Sequence, residues 1–240
     1  MEFRTLKANE IDCRVAQIDK TWLTLLLYKD ARVDMNILDE TVGCMNWEKE
    51  YLRENANCIV SIWDEEKQDW VSKEDTGTES FSEAEKGLAS DSFKRACFNW
   101  GIGRELYTAP SIFITPRKDI KYRVGGKEVE EFYEYKDGKY TTKTRFWVEL
   151  IDYDENKRIT DLIIRDNKGN VRFIELTKEK TKELNDIHSE FQKLIETLED
   201  KDEGFDREKL YEHYKVTSDA KMTYEQMKDA IEILKKKVGK

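Results

Sequence analysis

The chain has 240 residues, 38% of them hydrophobic and 39% charged, and a formal net charge of −9. That length holds one sizeable core, or a core with a small appended module, and the charged fraction points to solvated helix outside it. No run of 18 apolar residues occurs and the opening MEFRTLKANEIDCR has no charged-then-apolar leader pattern, so no membrane helix is expected and a cytoplasmic or nucleoid location is.

Residues 6–19 carry Leu6, Ile11, Val15 and Ile18 as their apolar positions and predict a short packing or oligomerisation helix. TWLTLLLY, residues 21–28, is an apolar run of buried-strand length. Over 31–42, Val33, Ile37 or Leu38, and Val42 recur at helical spacing, and Gly43 stands where a cap belongs. From Met45 to Asp75 the period becomes alternating, through Trp47, Lys49 and Tyr51, then Cys58, Val60 and Ile62, then Trp70 and Ser72. Polar breaks at 53–57 and 64–69 make this a three-stranded meander.

Next comes SFSEAEKGLASDSFKRACFNWGIGRELY, residues 80–107. Ser82 with Glu85 forms a capping box, so a helix begins near residue 83. Ala84, Leu88, Phe93, Ala96, Cys97 and Trp100 fall on its inward side, Lys86, Ser90 and Lys94 form a column on another, and Gly101 and Gly103 end it. Hairpin turns are predicted at Gly125-Gly126 and Asp137-Gly138, and three strands within 145–176 extend the sheet. Past Thr177 the composition turns to helix formers, with one long amphipathic helix and two shorter ones at 206–214 and 223–238. The expected fold is α+β: a β-β-β-α core with an antiparallel sheet extended by hairpins in a domain of residues 1–176, and a helical module over 177–240.

Chemistry is sparse. Cys13, Cys44, Cys58 and Cys97 form no C-x-x-C pair and His188 and His213 are the only histidines, so reduced thiols are expected and no metal or cofactor site. Asp39 with Glu65, Glu66 and Lys67 loosely fits the D…E-x-K layout of Mg²⁺-dependent nucleases, although these charges equally suit a hairpin turn. The acidic total, with 14 Lys+Arg against 22 Asp+Glu in residues 1–110, opposes a nucleic-acid partner on average. Exposed charges are screened over about 8 Å, so placement matters more. Lys86, Lys94 and Arg95, with Arg104 beyond the helix end and Lys29 and Arg32 beside the first core helix, could contact phosphates, or could be an ordinary solvated face. The tryptophans read as core rather than as base-stacking platforms.

The series YKDARVDMNILDETVGCMNW, CIVSIWDEEKQDWVSKEDTGTES and EKGLASDSFKRACFNWGIGRELY resembles the Rad-fifty-two family of single-strand annealing proteins, in its phage and prophage branch. The most specific part is D-x-x-K-R-A followed by an aromatic residue and glycine, here Asp91, Lys94, Arg95, Ala96, Trp100 and Gly101. The resemblance covers about residues 20–110. It implies a non-enzymatic recombination and repair protein that forms homo-oligomeric rings or filaments, grips single-stranded DNA by its phosphates, and anneals complementary strands without ATP. It places Arg32, Lys94 and Arg95 in the groove. The pattern departs at Phe98, where eukaryotic members have a basic residue, and at Cys44, where a groove tyrosine stands. Residues 177–240 are expected to form either a helical packing or solubility element or a tethered module that recruits a host single-strand-binding protein or an exonuclease. A nuclease and a DNA-binding scaffold that does not anneal are the alternative readings.

Overall fold

The computed structural model describes residues 1–78, 84–201 and 205–238, of which 84–86 and 201 by backbone only. Strands β1 (Asp12–Ile18) and β2 (Leu23–Tyr28) lead into helix α1 (Ala31–Val42). The meander follows as β3 (Trp47–Leu52), β4 (Asn57–Asp64) and β5 (Asp69–Thr76), and then α2 (Ala84–Trp100). After the short β6 (Ile112–Ile114) come two ribbons, β7 (Lys121–Val124) with β8 (Lys127–Glu130) and β9 (Tyr133–Lys136) with β10 (Lys139–Thr141). Strands β11 (Phe146–Tyr153), β12 (Ile159–Asp166) and β13 (Val171–Glu175) precede α3 (Lys178–Lys201), α4 (Arg207–Tyr214) and α5 (Tyr224–Val238). The fold is α+β, with a large antiparallel sheet, hairpins and a helical C-terminal region.

The chain divides into two compact units. The first comprises Met1–Asp12, Leu27–Pro110 and Glu155–Arg158, and the second Cys13–Leu26, Ser111–Asp154 and Ile159–Lys240. This partition does not follow the composition break at residue 177. The break marks a change from strand to helix, while residues 159–240 stay in one unit.

In the first unit the order is helix, three strands, helix. The meander pairs in sequence order, with Val60 opposite both Lys49 and Lys73. Alternation turns Cys58, Val60 and Ile62 toward α2, whose Phe93, Ala96 and Cys97 meet them. Helix α1 adds Ile37 and Leu38, both fully buried, and packs against α2 and β3. Large side chains buried in this way contribute about 1.5–3 kcal/mol each. The end of β5 lies so close to α2 that a Cβ on Gly77 would sit 2.6 Å from the Ser92 backbone nitrogen, so only glycine passes there. The Ser82–Glu85 capping box lies outside the described residues.

In the second unit a six-stranded sheet runs in the order β13-β12-β11-β1-β2-β6, and its two edge strands come into contact with each other. The later strands therefore add to β1 and β2, not to the meander. The expected helix over 6–19 is replaced by a single 3-10 turn, Ala8–Glu10, and strand β1. Cys13 and Val15 alternate inward with Arg14 and Ala16 outward along it. Here the β-branched residues and a sheet edge to pair with outweigh the weak helical spacing. Helix α3 packs on α5 around Phe191, Ile195, Met222 and Ile231. Buried Arg165 pairs with Glu149 and donates to the carbonyl oxygens of Ala220 and Met222, at 3.1 and 2.7 Å, which anchors the segment before α5 on the sheet.

Candidate nucleic-acid interface

The site suggested by the sequence lies within the first unit, where α1 and α2 pack together. Asp30 caps α1, its Oδ1 accepting the Arg32 N–H at 2.8 Å, and Gly43 ends the helix at φ 84°. This places Arg32 on the first turn with its side chain 85% exposed and only a loose 3.6 Å pairing to Asp30. A weak surface pair of that kind yields readily to a phosphate.

Lys29, one residue before the cap, does something else. Its side chain is 1% exposed, its ammonium donates to the buried Asp34 carboxylate, and it lies 4.4 Å from the centre of the Phe98 ring. The expectation that Lys29 contacts phosphate is therefore overturned, because a buried ammonium is committed to its counter-charge. Burial pushes the Asp34 carboxyl up to about 6, against the opposing pull of Lys29 and, more weakly, of Lys94. Its Oδ2 has no hydrogen-bond partner among the described residues.

This pair explains a glycine three residues past the end of α2. Gly103 has φ 78°, and a Cβ there would overlap Lys29 Cε and lie 2.8 Å from its Cδ. Gly103→Ala should therefore combine left-handed backbone strain with displacement of an ion-paired side chain. A loss of at least about 2 kcal/mol is expected in urea unfolding, and an unchanged midpoint would show that Lys29 is free to move.

On α2, consecutive residues diverge. Lys94 is half-buried on the side that senses Asp34 of α1, and makes no ion pair with another described residue. Arg95 is 42% exposed and leans toward β5, its Nε 3.5 Å from Asp75 Oδ1. The structure brings Lys94 and α1 together and sets Arg95 toward the sheet. Arg104 is exposed but engaged, its guanidinium donating to the carbonyls of Phe98 and, at 2.8 Å, Asn99. It caps the C-terminal carbonyls of α2, favourable for a cation at that end. The Lys86 side chain lies outside the described residues. Asp91 of the K-R motif has a structural task, accepting the Thr78 N–H at 2.9 Å.

Two further lysines edge this region. Lys49 of β3 is exposed and sits 4.6 Å from the Phe93 ring centre, and Lys73 of β5 lies 4.5 Å from that of Trp100 while donating to Asn99 O. Lys49 stood in the sequence between Trp47 and Tyr51 at an inward position, and that placement was its signal. At the two departures from the family pattern, Phe98 receives the Lys29 ammonium on its ring and Cys44 is exposed just past α1.

The tryptophans support the fold: Trp47 Nε1 donates to Asp39 at 2.6 Å, Trp100 Nε1 donates to Val60 O at 3.0 Å, and Trp63 meets Trp70 edge-on. Asp39 is thus occupied, and Lys67 pairs with Asp64 in the β4–β5 turn. Among the described residues no three His, Cys, Asp or Glu side chains converge as metal ligands. No helix among them is long and apolar enough to cross a membrane. Comparison with protein-family models, with curated proteins and with solved structures gives no match for this chain.

Proposed function

We propose that the chain binds single-stranded DNA through its phosphates and anneals complementary strands without ATP, as an oligomer serving homologous recombination and repair. The observation that carries this reading is the packing of α1 on α2, which presents exposed Arg32, held only by a loose 3.6 Å pair to Asp30, and half-buried Lys94, which makes no ion pair with another described residue. The K-R motif and the order helix, three strands, helix support it further, through the resemblance noted in the sequence. Annealing asks for a surface that neutralises phosphates and leaves base edges free, and it breaks no covalent bond. Repetition of a small basic patch around an oligomer makes a continuous track out of modest local charge, which accommodates an acidic chain.

Incubation with labelled complementary strands, with and without Mg²⁺, tests the reading. Duplex formation with intact strands is expected in both conditions; Mg²⁺-dependent shortening, or binding without duplex formation, would overturn it. Arg32→Ala and Lys94→Ala should each weaken binding equally across sequences and reduce the salt slope by about 0.7 for every phosphate left unneutralised. Arg95→Ala should do less, since Asp75 competes for its guanidinium. An unchanged salt slope in Lys94→Ala would remove α2 from the interface.

A further inference from the structure

The second unit holds a cavity of about 500 Å³ between its two β-ribbons, within the size range of small-ligand sites. Its floor is apolar. Phe132 is 3% exposed, and half-buried Tyr133 and Tyr140 come from the β9–β10 ribbon, where Tyr133 pairs with Thr141 and Tyr140 with Glu134. The rim is charged, and two of its cations are already matched. Arg117 binds Asp119 at 2.8 Å, and Lys121 pairs with Glu130 across β7 and β8. Lys20, from the β1–β2 turn, and Lys118 are exposed and make no ion pair with another described residue. Glu128 and Glu134 complete the rim.

These groups suit one kind of ligand. Half-buried aromatic rings offer a stacking surface, unmatched ammonium groups attract a phosphate, and carboxylates accept from the amino group of a base. A bare anion would meet the glutamates, and an apolar ligand would leave the lysines unused. We propose that this cavity binds a nucleotide, its base against Tyr133 and Tyr140, its phosphate at Lys20 and Lys118, and its amino edge toward Glu128 or Glu134. The cavity shares no residue with the basic patch on α1 and α2, and the proposal does not depend on the annealing reading.

Calorimetry of the full chain with dCMP, deoxycytidine and inorganic phosphate tests it. The nucleotide should bind at least about tenfold more tightly than either fragment, because stacking and phosphate contact each add to affinity. Tyr140→Ala and the surface change Lys118→Glu should each weaken dCMP at least about fivefold, while Lys136→Ala, at the hairpin tip outside the cavity, should not. The ligand is a nucleotide within a strand if an eight-residue oligodeoxycytidylate displaces dCMP, and a free nucleotide if it does not. Equal affinity for phosphate and dCMP, no dCMP binding, or full affinity in both cavity variants would overturn the proposal.

Discussion

Lys29→Met is expected to lower stability by about 3–5 kcal/mol in urea unfolding at pH 7, the range for breaking a buried ion pair from one side. The change leaves the Asp34 carboxylate, 0% exposed and with one oxygen already unpartnered, without the cation that balances it. Lys29→Met with Asp34→Leu removes both charges and should return to within about 1 kcal/mol of the parent, since a buried pair replaced by apolar groups is often neutral. The pH dependence has a definite sign. Burial raises Asp34 to about 6 in the fold, above its unfolded value, so its contribution to stability is present below about pH 4 and lost as pH rises through 6. The Lys29→Met deficit should therefore be smaller at pH 5 than at pH 7. A deficit that is flat with pH, or a double variant no better than the single, would mean that the pair is not the coupling between α1 and the Gly103 turn. Strand binding separates structure from contact. The double variant keeps Arg32 and Lys94, and should bind DNA once folded.

Much of the first unit could be read before any coordinates. The helical spacing of Val33, Ile37 and Val42 closed by Gly43 matches α1, and the alternation from Trp47 to Ser72 matches β3, β4 and β5. Helices α3 to α5 announced themselves by composition. Strand β1 did not, because four large aliphatic residues in fourteen fit a loose helix as well as an alternating strand, and the partners that decide it, β2 and β11, lie outside that stretch. The candidate site divides in the same way. Arg32 was legible as a cation beside the first core helix and as a groove position of the resemblance. Lys29 was not, since its burial depends on a glycine 74 positions later leaving room for it. Arg104 was legible as a cation beyond a glycine-terminated helix, but that position favours capping the helix carbonyls as much as meeting phosphate, and the structure shows the cap. Lys49 followed the alternation of its strand and was hidden only by the expectation that inward positions are apolar.

Arg172→Met should cost a further about 3–5 kcal/mol, this time in the second unit. Among the described residues Arg172 is the one cation lying against two fully buried carboxylates, Glu131 at 2.6 Å and Asp166 at 3.0 Å, and it also donates to Thr115 O at 2.7 Å. Burial alone would raise Asp166, but Asn170 and Arg172 bonding hold it below the usual carboxylate range. Its contribution to stability is thus present above about pH 4 and lost as pH falls through the lowered value, opposite in sign to Asp34. In Arg172→Met both carboxylates stay buried, Glu131 keeping the Thr144 hydroxyl and the Arg117 N–H, and Asp166 keeping Asn170, which supply hydrogen bonds but no charge. A melting temperature lower by roughly 10 °C corresponds to such a loss in a unit of this size. Arg172→Lys should fall between, because a single ammonium cannot span both carboxylates and the Thr115 carbonyl as the guanidinium fork does. The same network fixes Thr115 and Glu131, the ends of the segment that carries Lys118 and precedes Phe132. Below its melting point, Arg172→Lys should therefore weaken dCMP binding while strand binding through Arg32 and Lys94 persists. Loss of both together would show that the two activities share one site.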